Sequence, residues 1–148
     1  MSDLVIREFV GTDTNRVIDL WRECRLLRPW NDPEQDIARK MADSPWGLLV
    51  AEREVLLVGA LMVGYDGHRG SINYLAVAPA FQGTGLGRML VAHAEQLLVA
   101  RGCPKVNLSV RADNADAIAF YERLGYVVEG NDHAVAMGHR LIADVEGQ

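Results

Sequence analysis

Apolar residues recur along this chain with two different periods, and the changes of period divide it into elements. Leu4 to Phe9 alternates as a strand does. Thr12-Asp13 then stands as the cap of a helix that carries Val17, Leu20, Trp21, Cys24 and Leu27 on one face. Asp32-Pro33-Glu34-Gln35 predicts a second helix start, reaching about Met41, because an aspartate cap, a first-turn proline and acidic or amide side chains all suit the positive helix end. Gly47 to Glu52 and Val55 to Gly64 read as two strands joined by a tight turn at Arg53-Glu54. A strand ending at Val77 is stopped by Pro79. A helix from Gly85 to about Arg101 follows, expected to turn Leu86, Met89, Leu90, Ala94 and Leu97 inward and to end before Gly102-Cys103-Pro104. Val106 to Val110 reads as a short strand, a helix through Tyr121 ends at Gly125, and Tyr126 to Glu129 and Val135 to Arg140 are expected as two closing strands. The order β-α-α-β-β-β-α-β-α-β-β places the chain in the α/β class.

Composition narrows the picture. With 148 residues, 49% of them hydrophobic, the chain can bury one core and is too short for two ordinary domains. A single domain over residues 1–148, with a core of about 4–141, is the expectation. A net charge of −5 argues against nucleic acid as a partner, since phosphate neutralisation needs a basic face. No run approaches the ~18 apolar residues of a membrane span, and Met1 to Glu8 lacks a leader pattern, so a cytoplasmic protein without a membrane partner is expected. Cys24 and Cys103 show neither metal nor redox spacing, and His93, His133 and His139 form no readable metal set. Free thiols and no metal are expected.

The candidate chemistry begins at Gln82-Gly83-Thr84-Gly85-Leu86-Gly87-Arg88, directly after the strand Ile72 to Val77. Three glycines on alternate positions remove the Cβ atoms that would hold a bulky anion away from main-chain N–H groups, and the following helix adds its own unpaired amides and positive dipole end. A phosphate or pyrophosphate is the natural ligand. A Walker loop needs Gly-Lys-Ser/Thr where this chain has Gly87-Arg88-Met89, and the dinucleotide fingerprint needs Gly-x-Gly-x-x-Gly where this chain has Gly-x-Gly-x-Gly.

The segment resembles the Gln/Arg-x-x-Gly-x-Gly/Ala pattern of the GCN5-related N-acetyltransferases (GNAT family) at Gln82, Gly85 and Gly87. Asn114 to Tyr126 resembles the family's second signature, Asn-x-x-Ala-x-x-x-Tyr-x-x-x-Gly-Phe/Tyr, in the matching order. Leu26 to Glu34, Gly64 to Ser71 and Ala100 to Lys105 resemble the bacterial YpeA-like branch. The resemblance implies an acyl-CoA N-acyltransferase (GNAT) fold, whose mixed sheet agrees with the element order above, and acetyl-CoA as co-substrate. Main-chain groups of Leu75, Ala76 and Val77 would lie along the pantetheine arm, with the Val77 N–H on the thioester carbonyl. The loop of Gln82, Gly83, Thr84, Gly85, Leu86, Gly87 and Arg88 would hold the pyrophosphate, and Asn114 would lie beside the arm. A homodimer is expected by the same analogy.

Acetyl transfer to an amine also needs a proton for the departing thiolate, whose solution pKa is about 8.5, and a phenol of about 10 can supply it. Tyr121 occupies the family position of that general acid. An alkylamine arrives protonated and needs a base. The positions where relatives acting on ribosomal-protein termini or histones carry a glutamate are here Ser109 and Ser71. Remaining base candidates are Asp66, His68 and Tyr74, although Asp66-Gly67 also reads as a turn, and Tyr74 suits packing or shaping the acceptor cleft.

The resemblance implies that the connection between the first two helices, Arg28-Pro29-Trp30-Asn31-Asp32, borders the acceptor cleft, and it supplies an indole beside an arginine and a carboxylate. Arg28 is the candidate for an acceptor carboxylate and Asp32 for an ammonium, with Asp32 also needed as a helix cap and Trp30 able to act as a hydrophobic staple. The leading expectation is N-acetylation of a small amine or amino-acid-like acceptor by direct transfer. The alternatives are a protein N-terminal or lysine acetyltransferase, and a non-catalytic acyl-CoA-binding module.

Overall fold

The computed structural model describes residues 3–129 and 135–143. Strand β1 (Leu4–Glu8) is followed by helices α1 (Thr14–Glu23) and α2 (Pro33–Asp43), strands β2 (Leu48–Arg53), β3 (Leu56–Tyr65) and β4 (Gly70–Val77), helix α3 (Leu86–Ala100), strand β5 (Val106–Asn107) and helix α4 (Ala115–Arg123). The sheet runs β1-β2-β3-β4-β5, antiparallel except for the parallel pair β4-β5. This is the mixed α/β sheet expected from the sequence.

The two closing strands are a correction. Residues 126–129 and 135–140 carry no regular structure. Their apolar alternation is present, but a strand exists only where its amides find a ladder, and neither segment joins one among the described residues. His133 lies outside the described residues. Strand β5 is also shorter than its apolar run, because it pairs with β4 only at Gly70–Val106 and Ser71–Asn107.

Each face of the sheet carries its own core. Val17, Leu20 and Trp21 of α1 and Ile37 of α2 pack on one face against Leu48, Val50, Ala60 and Ala76. On the other, Leu86, Leu90, Val91, Ala94 and Leu98 of α3 pack against Leu49, Ala51, Val58, Leu61 and Val63. Burying each such large side chain contributes about 1.5–3 kcal/mol before chain entropy is counted. The inward face of α3 is rotated from the expected one: Met89 is 44% exposed, while Val91 and Leu98 are buried. Asp32 caps α2 as expected, its Oδ1 accepting from the amides of Glu34 (3.0 Å) and Gln35 (3.3 Å). Asp13 does not cap α1. Its carboxylate is buried and accepts from Arg7 (2.8 and 3.0 Å), Arg16 (2.7 Å) and the Val10 amide (2.9 Å), holding β1 to the start of α1.

Strand β4 contains the irregularity that shapes both candidate sites. Asn73 pairs with Met62 and Ala76 with Ala60, so Tyr74 and Leu75 together stand opposite the single residue Leu61. This is a β-bulge, and Tyr74 sits in it at φ +54°. The extra residue reverses the strand's parity. Ile72 faces the α3 core, Leu75 and Val77 face that side again, and Tyr74 and Ala76 face the α1 side.

Candidate functional site

A cleft of about 540 Å³ lies on the α3 side of β4. Leu75 and Val77 form one wall, Gln82, Gly83, Gly85, Gly87 and Arg88 of the loop a second, and Asp116, Ala117, Phe120 and Arg123 of α4 a third. The cleft opens because β4 continues past Ser71 without pairing to β5.

The loop follows from its residues. Gln82 Nε2 and Cys24 Sγ both donate to the Val77 carbonyl (3.1 and 3.3 Å), tying the end of β4 to the loop and to α1. Thr84 Oγ1 donates to the Phe81 carbonyl at 2.5 Å and closes the turn. Gly85 then caps α3 at φ +90°, a left-handed conformation that a side chain would strain, and a Cβ there would point into open space. A Cβ at Gly87 would stand 3.2 Å from the Phe120 ring, so this glycine lets α4 close the cleft.

None of the main-chain N–H groups from Gly83 to Arg88 has a hydrogen-bonded acceptor among the described residues; the first amide of the helix that does is that of Met89, bonded to the Gly85 carbonyl at 3.1 Å. The exposed guanidinium groups of Arg88 and Arg123 join these amides in the cleft wall. Together they make a concave, positively polarised surface suited to a multiply charged anion.

Of the expected donor-site residues, Leu75, Val77, Gln82, Gly83, Gly85, Gly87 and Arg88 line this cleft. Ala76 and Leu86 are buried in the two cores, Thr84 holds the turn, and Asn114 caps α4 by accepting from the Ala117 amide at 3.1 Å. Tyr121 stands one position beyond Phe120, with its ring edge-on to Phe120 (5.0 Å) and Tyr126 (5.5 Å). Its hydroxyl makes no hydrogen bond among the described residues, and burial pushes the phenol up to about 12. Sequence reasoning missed Phe81, Asp116, Ala117, Phe120, Arg123 and Leu124. The signal was available in α4, where 116, 120 and 123 and 117, 120 and 124 recur at helical spacing.

A second cavity, of about 580 Å³, lies across β4 on the α2 side and is lined by Leu26, Asn31, Asp36, Arg39, Lys40, Asp43, Met62, Asn73 and Tyr74. Of the expected acceptor-side residues only Tyr74 lines it. Arg28 donates to the carbonyls of Arg25 (2.8 Å) and Leu27 (3.0 Å), Trp30 is 44% exposed, and Asp32 is engaged as the α2 cap. Tyr74 donates to Asp36 Oδ2 at 2.7 Å and stacks on Trp21 with ring centroids 4.0 Å apart. Burial first, and then the adjacent carboxylate, push its phenol well above the ordinary range, so it remains a donor and does not suit a base. Asp66 is a turn residue: its Oδ1 accepts from the amides of His68 (2.8 Å) and Arg69 (2.7 Å), bonds that hold its pKa below the usual carboxylate value.

Among the described residues no group of three or more His, Cys, Asp or Glu is placed to hold a metal ion, and no helix is long and apolar enough to cross a membrane. Residues 14–126 match the model of the Acetyltransferase (GNAT) family. An acetyltransferase of Sodalis glossinidius is 50% identical over 141 residues, covering 95% of this chain and 98% of that protein. Among solved structures, Ard1 from Thermoplasma volcanium superposes with a TM-score of 0.73 at 25% identity, covering 86% of this chain and 84% of that one. The PaiA N-acetyltransferase of Thermoplasma acidophilum, solved in complex with coenzyme A, superposes with a TM-score of 0.70 at 20% identity, covering 88% and 93%.

Proposed function

The chain belongs to the GNAT family of acetyltransferases, and from that premise we propose that it is an N-acetyltransferase using acetyl-CoA as donor and a primary amine of a small molecule or amino-acid-like compound as acceptor. The observation that carries this reading is the run of unpaired amides from Gly83 to Arg88 beside two open glycine positions and two arginines. A pyrophosphate fits such a surface, because each amide otherwise lacks a partner and no Cβ at Gly83 or Gly85 obstructs approach. The coenzyme A of the PaiA complex supports the same assignment by analogy.

Acetyl-CoA would supply an electrophilic thioester carbon and a thiolate leaving group. The chain's own groups do the rest. The unpaired edge of β4 beyond Ser71 offers main-chain groups to an amide-bearing arm, and Leu75 and Val77 give that arm an apolar wall. Tyr121 holds a proton at its Oη far above neutrality and is the proton donor in this reading. Its hydroxyl is not held by another protein group among the described residues and is thus available. The cavity across β4 admits the acceptor, with Tyr74 on its wall and Arg28 and Trp30 on the preceding connection. The proposal further takes the chain to act as one domain in the cytoplasm.

Calorimetric titration with acetyl-CoA, combined with thiol release over a panel of amines and peptides, tests the proposal. Saturable binding and thiol release with small amines are expected. Absent binding would overturn the donor assignment, and binding without release on any amine, unchanged in Tyr121→Phe, would favour a sensing module.

A further inference from the structure

The cavity on the α2 side carries more chemistry than a wall for the acceptor. Asp36, Arg39, Lys40 and Asp43 recur at helical spacing along α2, and such a stripe is ordinarily a solvated face. Here it faces a bulged strand instead. Asp36 is fixed from two sides: Tyr74 donates to its Oδ2 at 2.7 Å, and Arg39 Nη1 donates to its Oδ1 at 3.3 Å. Tyr74 is itself fixed by the stack on Trp21 and by its position in the bulge. Each carboxylate oxygen therefore keeps acceptor capacity for one further donor arriving through the cavity.

The cations divide differently. Lys40 Nζ donates to the Val63 carbonyl at 2.6 Å, and burial lowers its pKa, so it is committed to the protein. Arg39 uses one donor on Asp36 and has no other acceptor among the described residues, leaving most of its planar fork free. Two carboxylates and two cations balance across the lining. A polyamine would be better matched by excess negative charge and an alkylamine by an uncharged wall, whereas Leu26 and Met62 leave room beside the charges for a modest apolar side chain.

We propose that this cavity is an acceptor subsite built for a zwitterionic primary amine, an α-amino acid or close analogue, with Asp36 meeting the ammonium and Arg39 the carboxylate. It rests on the reading above only for the claim that the bound amine is acetylated. The bulge supports the placement: it sets Tyr74 on the cavity side next to Leu75 on the donor-cleft side, at the part of β4 that has no partner in β5.

Saturation-transfer NMR on the full chain, with and without coenzyme A, tests it using pooled standard α-amino acids, their methyl esters, the matching decarboxylated amines and spermidine. At least one amino acid should bind, with its ester and its decarboxylated amine at least about tenfold weaker. Asp36→Asn should weaken amino-acid binding about tenfold or more, and Arg39→Gln should bring the amino acid and its ester to equal affinity. Unchanged melting temperatures and acetyl-CoA affinity in both variants serve as the folding control, and Arg39, being exposed, carries the test if Asp36→Asn fails to fold. No amino-acid binding, spermidine or esters binding as well as amino acids, or a carboxylate preference that survives Arg39→Gln would each overturn the proposal. Acetyl-CoA affinity in wild-type protein decides the donor reading separately: its absence with amino-acid binding intact would sink that reading and leave this one standing.

Discussion

The two sides of β4 present opposite kinds of surface. On the α3 side the cleft presents main-chain amides, reachable because Gly83 and Gly85 place no side chain over them. On the α2 side the cavity presents side chains, with Asp36, Arg39 and Tyr74 drawn from a helix and a strand far apart in sequence. A main-chain site constrains residue size and spacing within one short segment. A side-chain site constrains only where two distant segments meet, and leaves little local trace.

Three substitutions separate the two sides, and a fourth serves as a control. The largest expected effect is Gly85→Asp, which puts a strained backbone and a negative charge into the amide cradle. Acetyl-CoA affinity measured by calorimetry should fall about a thousandfold while amino-acid binding across β4 is unchanged. Retained acetyl-CoA affinity would remove the cradle from the donor side. Tyr121→Phe should next lower thiol release about a hundredfold with both binding affinities intact. A wild-type rate in that variant would show that the proton comes from elsewhere.

Asp13→Asn lies outside both cavities and sharpens the comparison as a control. Hydrogen bonding from Arg7, chiefly, lowers the Asp13 pKa to about 2 from 3.8. A carboxylate depressed in the folded state contributes stability that is present above the unfolded pKa and is lost as pH falls through the folded one. Wild-type protein should therefore lose about 2 kcal/mol between about pH 4 and pH 2 that the variant has already lost at neutral pH. Urea titrations across that range should show it, with both ligand affinities near wild type at neutral pH. The smallest change is Tyr74→Phe, which removes one hydrogen bond to Asp36 and keeps the Trp21 stack. Amino-acid affinity should weaken about fivefold with no effect on acetyl-CoA. An equal loss on both sides of the strand would mean that the two sites are coupled through the bulge.

What could be read in the chain before folding follows the same division. Gly83 and Gly85 announced an open loop at the start of α3 because their positive φ is a matter of local geometry alone, whereas Gly87 is required by the Phe120 ring of α4. Asp32 announced the α2 cap by local geometry too. Arg28 and Trp30 are acceptor-side candidates through the resemblance and through the indole, guanidinium and carboxylate that lie close together in sequence; in the structure Arg28 donates to two nearby carbonyls and Trp30 is 44% exposed, neither of which the sequence shows. The closing strands were expected from alternation, a pattern that shows which residues could pair but supplies no partner for 126–129 and 135–140.

The sequence by itself determined the helices and strands through β5 and the glycine-rich start of α3, because each depends on contacts between residues close in the chain or on the period of apolar positions, and its two motifs carried the resemblance to the family. Only the tertiary structure decided that β4 bulges at Tyr74, that this phenol reaches Asp36 38 residues earlier, and that α4 closes the cleft with Phe120 against Gly87. Those contacts arise when separate elements pack on one sheet, and no local rule fixes which residues then meet.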